Sequence, residues 1–407
     1  MTGILGGLRV VECAAFIACP YATMNLAELG AEVIRIDGLQ GGLDYRRWPV
    51  TSDGRSLYWA GLNKGKKSVR LDIRSAEGRE LAQTIIAAPG DGGGLFATNL
   101  PATGWLAYEA LRALREDLIM LTIVGNHDGT TALDYTVNCA VGFPHLTGAA
   151  DSEVPVNHVL PAWDLLAGMS AATALLAAER HRRLHGIGQR VRIALSDVAL
   201  AVVSDLGLIA EAEINGEERG RYGNHIYGAF GRDFETADGR RLMVAAVSAG
   251  QWRALVASTG IGEAIARHEA ETGADLSRDS DRFEARDHIA GLLEPWFAAR
   301  SLNAARAELD AARACWGPYQ TIGQMLEEDR RASPANPIFS RVEHRAIGET
   351  LSARSPIDFS AVDAIPQASG PVLGQHTDEV LAELLGLGSG EIGRLHDAGI
   401  VAGPDDR

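Results

Sequence analysis

The chain has 407 residues, with 38 Lys+Arg against 53 Asp+Glu and a formal net charge of −15. Hydrophobic residues make up 46% and charged residues 22%, which excludes a disordered or fibrous chain. The acidic balance argues against nucleic acid or an anionic membrane as the main partner. A chain of this length predicts two or three domains at about 150 residues each. The N-terminal segment MTGILGGLRVVEC lacks the basic–apolar–small succession of a signal peptide. No apolar run reaches the ~18 residues of a membrane span. Cys13, Cys19, Cys139 and Cys315 show no CxxC spacing, so reduced thiols of a cytoplasmic protein are expected, with no metal site.

The predicted elements begin with a short β-branched run, Leu8–Cys13, followed by a helix opened by Pro20 and stopped by Gly30. A second strand, Glu32–Asp37, completes a βαβ unit with parallel strands. Lys67–Ile73, Gly94–Thr98 and Leu118–Val124 are further strand candidates, separated by helical segments. Asp164–Leu184 is the clearest helix, acidic at its start, basic at its end and stopped by Gly186. A strand at Gln189–Ala194 and a helix at Asp197–Glu213 follow. Composition then shifts: 215–235 is rich in Gly, Arg, Asn and Tyr, and 241–330 reads as one strand and then helices. Several prolines after 333 mark a return segment, so the expected domains are 1–214, 215–333 and 334–407.

The turn after the first strand, ECAAFIACPYAT, contains no glycine, so it is not a dinucleotide-binding turn, and Asp37 reads as a strand end. GxxxxGK[ST], GxSxG and HExxH are absent. His181 and His185 share a helix face with Arg180, Arg182 and Arg183, which repel a metal cation. Lys64-Gly65-Lys66-Lys67 is a basic island in an acidic chain; it is either a solvated loop or a phosphate-binding loop. Asp164 opens the long helix, where a carboxylate serves as an N-cap or as an ionised nucleophile, with Gly168-Met169-Ser170 leaving room for a ligand.

Taken in order, LRVVEC, LAELGAEVIRID, NKGKKSVRLDIRSAEGRE, DLIMLTIVG, LDY, AWDLLAGM, GIGQRVRIALSDVAL, SPIDFS and LGQHTDEVLAELLGL resemble the family III CoA-transferases, over residues 8–200 and again over about 335–400. The resemblance implies an α/β fold: a Rossmann-like large domain built from both chain ends, a smaller domain, and an intertwined homodimer. It places Asp164 on the family's catalytic aspartate, and Ile17, Ala18, Leu71, Asp72, Ile73, Arg74, Asn99, Leu100, Val124, Gly125, Asn126 and His127 on CoA-contacting positions. Lys66 of the basic island joins them as a phosphate contact.

Three departures stand out. Gly38-Leu39 replaces a frequent basic residue, the loop LPATGW loses an arginine, and YGNHIYGAFGRDF stands where formyl-CoA transferases carry a Gly-rich lid. GGLDYRRWPVTSDG, VNHVLPAWD and YGAFGRDFETADG resemble a subgroup that moves CoA between the C1 and C4 carboxyls of mesaconate, without a further cofactor. Arg46, Arg47, His145, Tyr227 and Arg232 are then candidates to hold the detached diacid. The alternatives are CoA transfer to a separate acid, a racemase and a catalytically silent CoA-binding protein. Leu133 stands where related racemases place a histidine base.

Overall fold

The computed structural model describes residues 3–216 and 218–405. Among the described residues twelve strands are formed, β1 (Arg9–Cys13), β2 (Glu32–Gly38), β3 (Lys67–Leu71), β4 (Leu95–Thr98), β5 (Ile119–Val124), β6 (Arg190–Ala194), β7 (Phe230–Glu235), β8 (Arg241–Ala246), β9 (Cys315–Pro318), β10 (Phe339–His344), β11 (Gly348–Ala353) and β12 (Val401–Ala402). Two compact units result. The first comprises residues 1–141, 159–210 and 330–407, and the second 142–158 and 211–329.

The first unit is built on a seven-stranded sheet in the order β12-β3-β2-β1-β4-β5-β6. All neighbours are parallel except β12, which runs antiparallel to β3. Its central strands carry almost uninterrupted apolar runs (LFAT, IMLTIV) because helices cover both faces. On one face Val11, Ile34, Val69, Phe96 and Met120 pack with Ile85 and Ile86 of the helix Ala76–Ala87. The long helix, Ala162–His185, lies against the helix Ala18–Glu28. A Cβ on Gly168 would sit 2.7 Å from the Ala18 carbonyl oxygen. Gly168 therefore serves close helix–helix approach, and the expectation that it leaves room for a ligand is corrected.

The second unit has an antiparallel sheet, β7-β8-β9, whose Phe230, Phe234 and Val244 pack with Trp252, Leu293 and Phe297. The end of the segment YGNHIYGAFGRDF is thus strand, with Phe230 and Phe234 in the core and Tyr227 exposed. The expected boundary at 214/215 also needs correction, because residues 142–158 join this unit. The Arg221 guanidinium donates to the carbonyls of His145, Ser152, Glu153 and Val154, satisfying backbone acceptors that a loop cannot pair for itself.

Candidate active site

In the first unit a cavity of about 800 Å³ opens at the carboxyl ends of β1, β4 and β5, the edge where open parallel sheets hold ligands. Phe16, Ile17 and Ala18 after β1, Asn99 and Leu100 after β4, and Val124 and Gly125 at the end of β5 line it, together with Arg47, Tyr58, Asp134 and Asp164. The turn after β1 is held by a reciprocal pair: Ala15 N–H donates to Asn99 Oδ1 (2.9 Å) and Asn99 Nδ2 to the Ala15 carbonyl (2.7 Å). This fixes Phe16 at φ 63°, a conformation that bulky residues rarely adopt and that persists only under such restraint.

Asp164 is the third residue of the long helix. The free N–H groups of that helix end are taken by another acid. Asp134 Oδ2 accepts from the N–H of Trp163 (2.7 Å) and of Asp164 (3.0 Å), while Trp163 Nε1 donates to Asn138 (3.2 Å). Asp134 is only 3% exposed, and its second oxygen is buried without a hydrogen-bond partner. Burial pushes the Asp164 carboxyl up to about 7; the Asp134 carboxylate adds to the rise and the Arg47 guanidinium opposes it. The expectation that the helix terminus keeps Asp164 ionised is corrected: that terminus already serves Asp134, and Asp164 is a reluctant anion.

Arg47 is held between aromatic faces, 5.5 Å from the ring centroids of both Phe16 and Tyr58. The Tyr58 hydroxyl is buried without a partner. Burial raises its pKa, so it stays a neutral donor. Beneath these groups the wholly buried Arg35 donates to the Ala14 carbonyl (2.9 Å) and to Asp44 Oδ2 (2.9 Å). One side chain thereby ties the β1 turn to the segment that carries Arg47. Arg35 also engages Asp37 (2.9 Å) and Glu12 (3.0 Å), so Asp37 does more than end a strand.

The CoA-transferase family III profile matches residues 5–377. The chain is 54% identical to a 2-methylfumaryl-CoA isomerase of Chloroflexus aurantiacus over 406 residues, 100% of this chain and 99% of that relative. It is 31% identical to a succinate–glutarate CoA-transferase of Agrobacterium fabrum, covering 93% and 95% of the two chains. Among solved structures, a CaiB/BaiF family protein from Brucella suis superposes with a TM-score of 0.78 at 25% identity, covering 94% of this chain and 100% of that one. The chain belongs to CoA-transferase family III.

Within this family III site, Ile17, Ala18, Asn99, Leu100, Val124 and Gly125 line the Asp164 cavity, and Arg47 joins them. Asn126 and His127 stand in the adjoining turn, where His127 Nδ1 meets Asp197 (2.7 Å). Asp72, Ile73 and Arg74 follow β3 at the same edge of the sheet, outside the lining, and the Leu71 side chain is wholly in the core. Lys66 requires the firmest correction. Its ammonium is buried at 2.7 Å from Glu12 Oε2, 2.8 Å from the Pro20 carbonyl and 3.0 Å from Asn63 Oδ1. Lys64 pairs with Glu28 (2.8 Å), and Lys67 with Glu32 (2.9 Å) and Glu379 (2.8 Å). The island lies at the amino end of β3, opposite the Asp164 cavity, and its charges are already neutralised.

Arg46 is likewise corrected: it lines a separate cavity of about 250 Å³ with Tyr45, Trp59 and His344. His145, Tyr227 and Arg232 belong to the second unit. There Tyr227 donates to Glu211 (2.9 Å) beneath the Arg219 guanidinium, and Arg232 lies 3.5 Å from Glu294. Sequence reasoning missed Asp134, Tyr58 and Phe16. Only Asp134 left a signal, as an acid opening the short helix Asp134–Ala140. Among the described residues no His/Cys/Asp/Glu group could hold a metal, and no helix is long and apolar enough to cross a membrane.

Proposed function

We propose that this chain moves CoA within one molecule, converting mesaconyl-C1-CoA (2-methylfumaryl-CoA) to mesaconyl-C4-CoA, with Asp164 as the covalent nucleophile. The carrying observation is Asp164 itself, a carboxyl held near neutrality in a cavity at the carboxyl edge of the sheet, with the Arg47 guanidinium on the same cavity wall. The full-length likeness to 2-methylfumaryl-CoA isomerase supports the acyl group.

On this reading the Asp164 carboxylate adds to the C1 thioester carbonyl and expels CoA thiolate, leaving a mixed anhydride. The thiolate attacks the aspartyl carbonyl, expelling mesaconate and forming aspartyl-CoA. The C4 carboxylate then attacks that thioester, releasing thiolate and forming the second anhydride. Thiolate attack at C4 completes the product and returns Asp164. CoA, mesaconate and the carboxylate are conserved throughout, and no electron changes hands. Arg47 favours the ionised form of Asp164 and offers a cation to the freed diacid; the Tyr58 O–H is a neutral donor for the oxyanion of each addition.

The chain is proposed to work as an intertwined homodimer. Leu133, Leu166, Met169, Leu200 and Leu206 are all at least 40% exposed in one chain, which supports a covered surface. Mass measurement in solution checks it.

The decisive experiment incubates the protein with mesaconyl-C1-CoA, with and without labelled free mesaconate. C4 ester without label is expected. Rapid label entry would replace this reading with transfer to a separate acid. Asp164→Ala should lower kcat by roughly three orders of magnitude or more, as loss of a nucleophile does.

A further inference from the structure

We propose that Arg190 and Arg192 of the edge strand β6 receive a phosphate group of the CoA substrate. This rests on the CoA-ester reading above and adds the charged end of the site to it. CoA brings several phosphate charges, and they need cations within reach of the cavity that holds Asp164. The lysine island cannot supply them, since its ammoniums are paired at the opposite edge. Among the described residues lining the Asp164 cavity, the only Lys or Arg side chains are those of Arg47, Arg190 and Arg192. Arg47 is committed to the Asp164 end by its aromatic clamp.

The strand geometry favours the remaining two. β6 pairs with β5 in parallel, Arg190 opposite Met120 and Arg192 opposite Thr122. Two-residue alternation points both guanidiniums to one face, and both are exposed while Val191 and Ile193, on the other face, are half-buried. Thr122, the partner of Arg192, also lines the cavity. Arg192 Nη2 donates to the His127 carbonyl (2.5 Å), which anchors the guanidinium beside the cavity-lining turn and leaves its other N–H groups free to face a ligand. The acid next to that turn, Asp197, is occupied by the His127 ring. The Arg190 side chain makes no hydrogen bond or ion pair with any described residue. A pair of arginines two residues apart on a fixed strand presents the planar donors that phosphate oxygens accept in pairs.

The test is calorimetric binding of CoA, 3′-dephospho-CoA and pantetheine to the wild-type protein, to Arg190→Ala and Arg192→Ala, and to the matching lysine variants. Each alanine variant is expected to bind CoA about tenfold or more weakly, the loss of one charge-assisted hydrogen bond. The lysine variants should recover part of that, and pantetheine, which has no phosphate, should bind all forms alike. If the alanine effect vanishes with 3′-dephospho-CoA, the partner is the 3′-phosphate; if it persists, it is the pyrophosphate. Alanine variants that bind CoA like the wild type, or that lose pantetheine equally, overturn the assignment while leaving the isomerase reading intact. Normal arginine-dependent CoA binding without isomerisation would do the reverse.

Discussion

Replacing Asp164 with asparagine should stabilise the resting protein while abolishing turnover. The carboxyl titrates at about 7 in the folded chain against an ordinary 3.8, a gap of about 3 pH units worth ~1.4 kcal/mol each. The sign follows from proton counting. Below 3.8 both states hold the proton and the group adds nothing. Between 3.8 and about 7 the unfolded chain has released it and the folded chain has not, so stability falls as pH rises. Above about 7 both are ionised, and the folded state carries the full penalty, about 4 kcal/mol. Solvent entering the cavity side of the carboxyl reduces this to about 2–4 kcal/mol. Asparagine fills the same space without a charge. Urea unfolding of both proteins from pH 5 to pH 9 should therefore show curves that diverge with rising pH and run parallel above pH 8. The variant should be the more stable by roughly 2–4 kcal/mol there. A gap independent of pH, or an asparagine variant that is weaker at pH 8, would refute the picture of a reluctant anion.

The same electrostatics predicts that kcat/KM rises with pH through about 7 and that Arg47→Gln moves this limb to higher pH, because the opposing cation is gone; a limb that stays put removes Arg47 from the site. Asp134→Asn should move the limb downward, read from the same pH–rate profile, since the like charge is lost while a side-chain oxygen remains for the helix N–H groups. Lys66→Met should lower stability by about 1–3 kcal/mol, because buried Glu12 loses the ammonium at its Oε2 and keeps Arg35 as its cation, with KM for the CoA ester unchanged in whatever protein remains folded. A raised KM at normal stability would restore the phosphate-loop reading.

The sheet of the first unit was legible because buried parallel strands must be apolar on both faces. LRVVEC, EVIRID and DLIMLTIVG declare themselves without help from distant residues. Asp164 was legible as an acid opening a long Ala-rich helix. Lys66 was not, because a charge run carries no direction: the acid that buries it, Glu12, sits on a strand 54 residues earlier and meets it only through the sheet register. The same reason hides Tyr58 and the cap from Asp134, contacts between segments far apart in the chain. β7 was hidden because FGRDFE alternates charges with core aromatics and looks like a polar loop. Arg46 and Arg47 are adjacent, yet successive side chains diverge to separate cavities, and nothing in the pair says which one faces Asp164.

Because Asp134 takes the long helix's first N–H groups, the proposed mixed anhydride on Asp164 would break unevenly. Its two acyl carbons compete for the thiolate, and each route expels the opposite carboxylate. The less basic carboxylate departs more readily. Because the helix end does not steady the Asp164 anion, aspartate is the poorer leaving group of the two, and cleavage that ejects the diacid is the favoured direction. In the proposed mechanism both anhydrides therefore partition toward aspartyl-CoA, the one formed from the C1 ester and the one formed at C4 alike. A carboxylate placed beside a helix terminus but denied its donors would thus make the enzyme-bound thioester the resting point between two nearly symmetrical anhydrides.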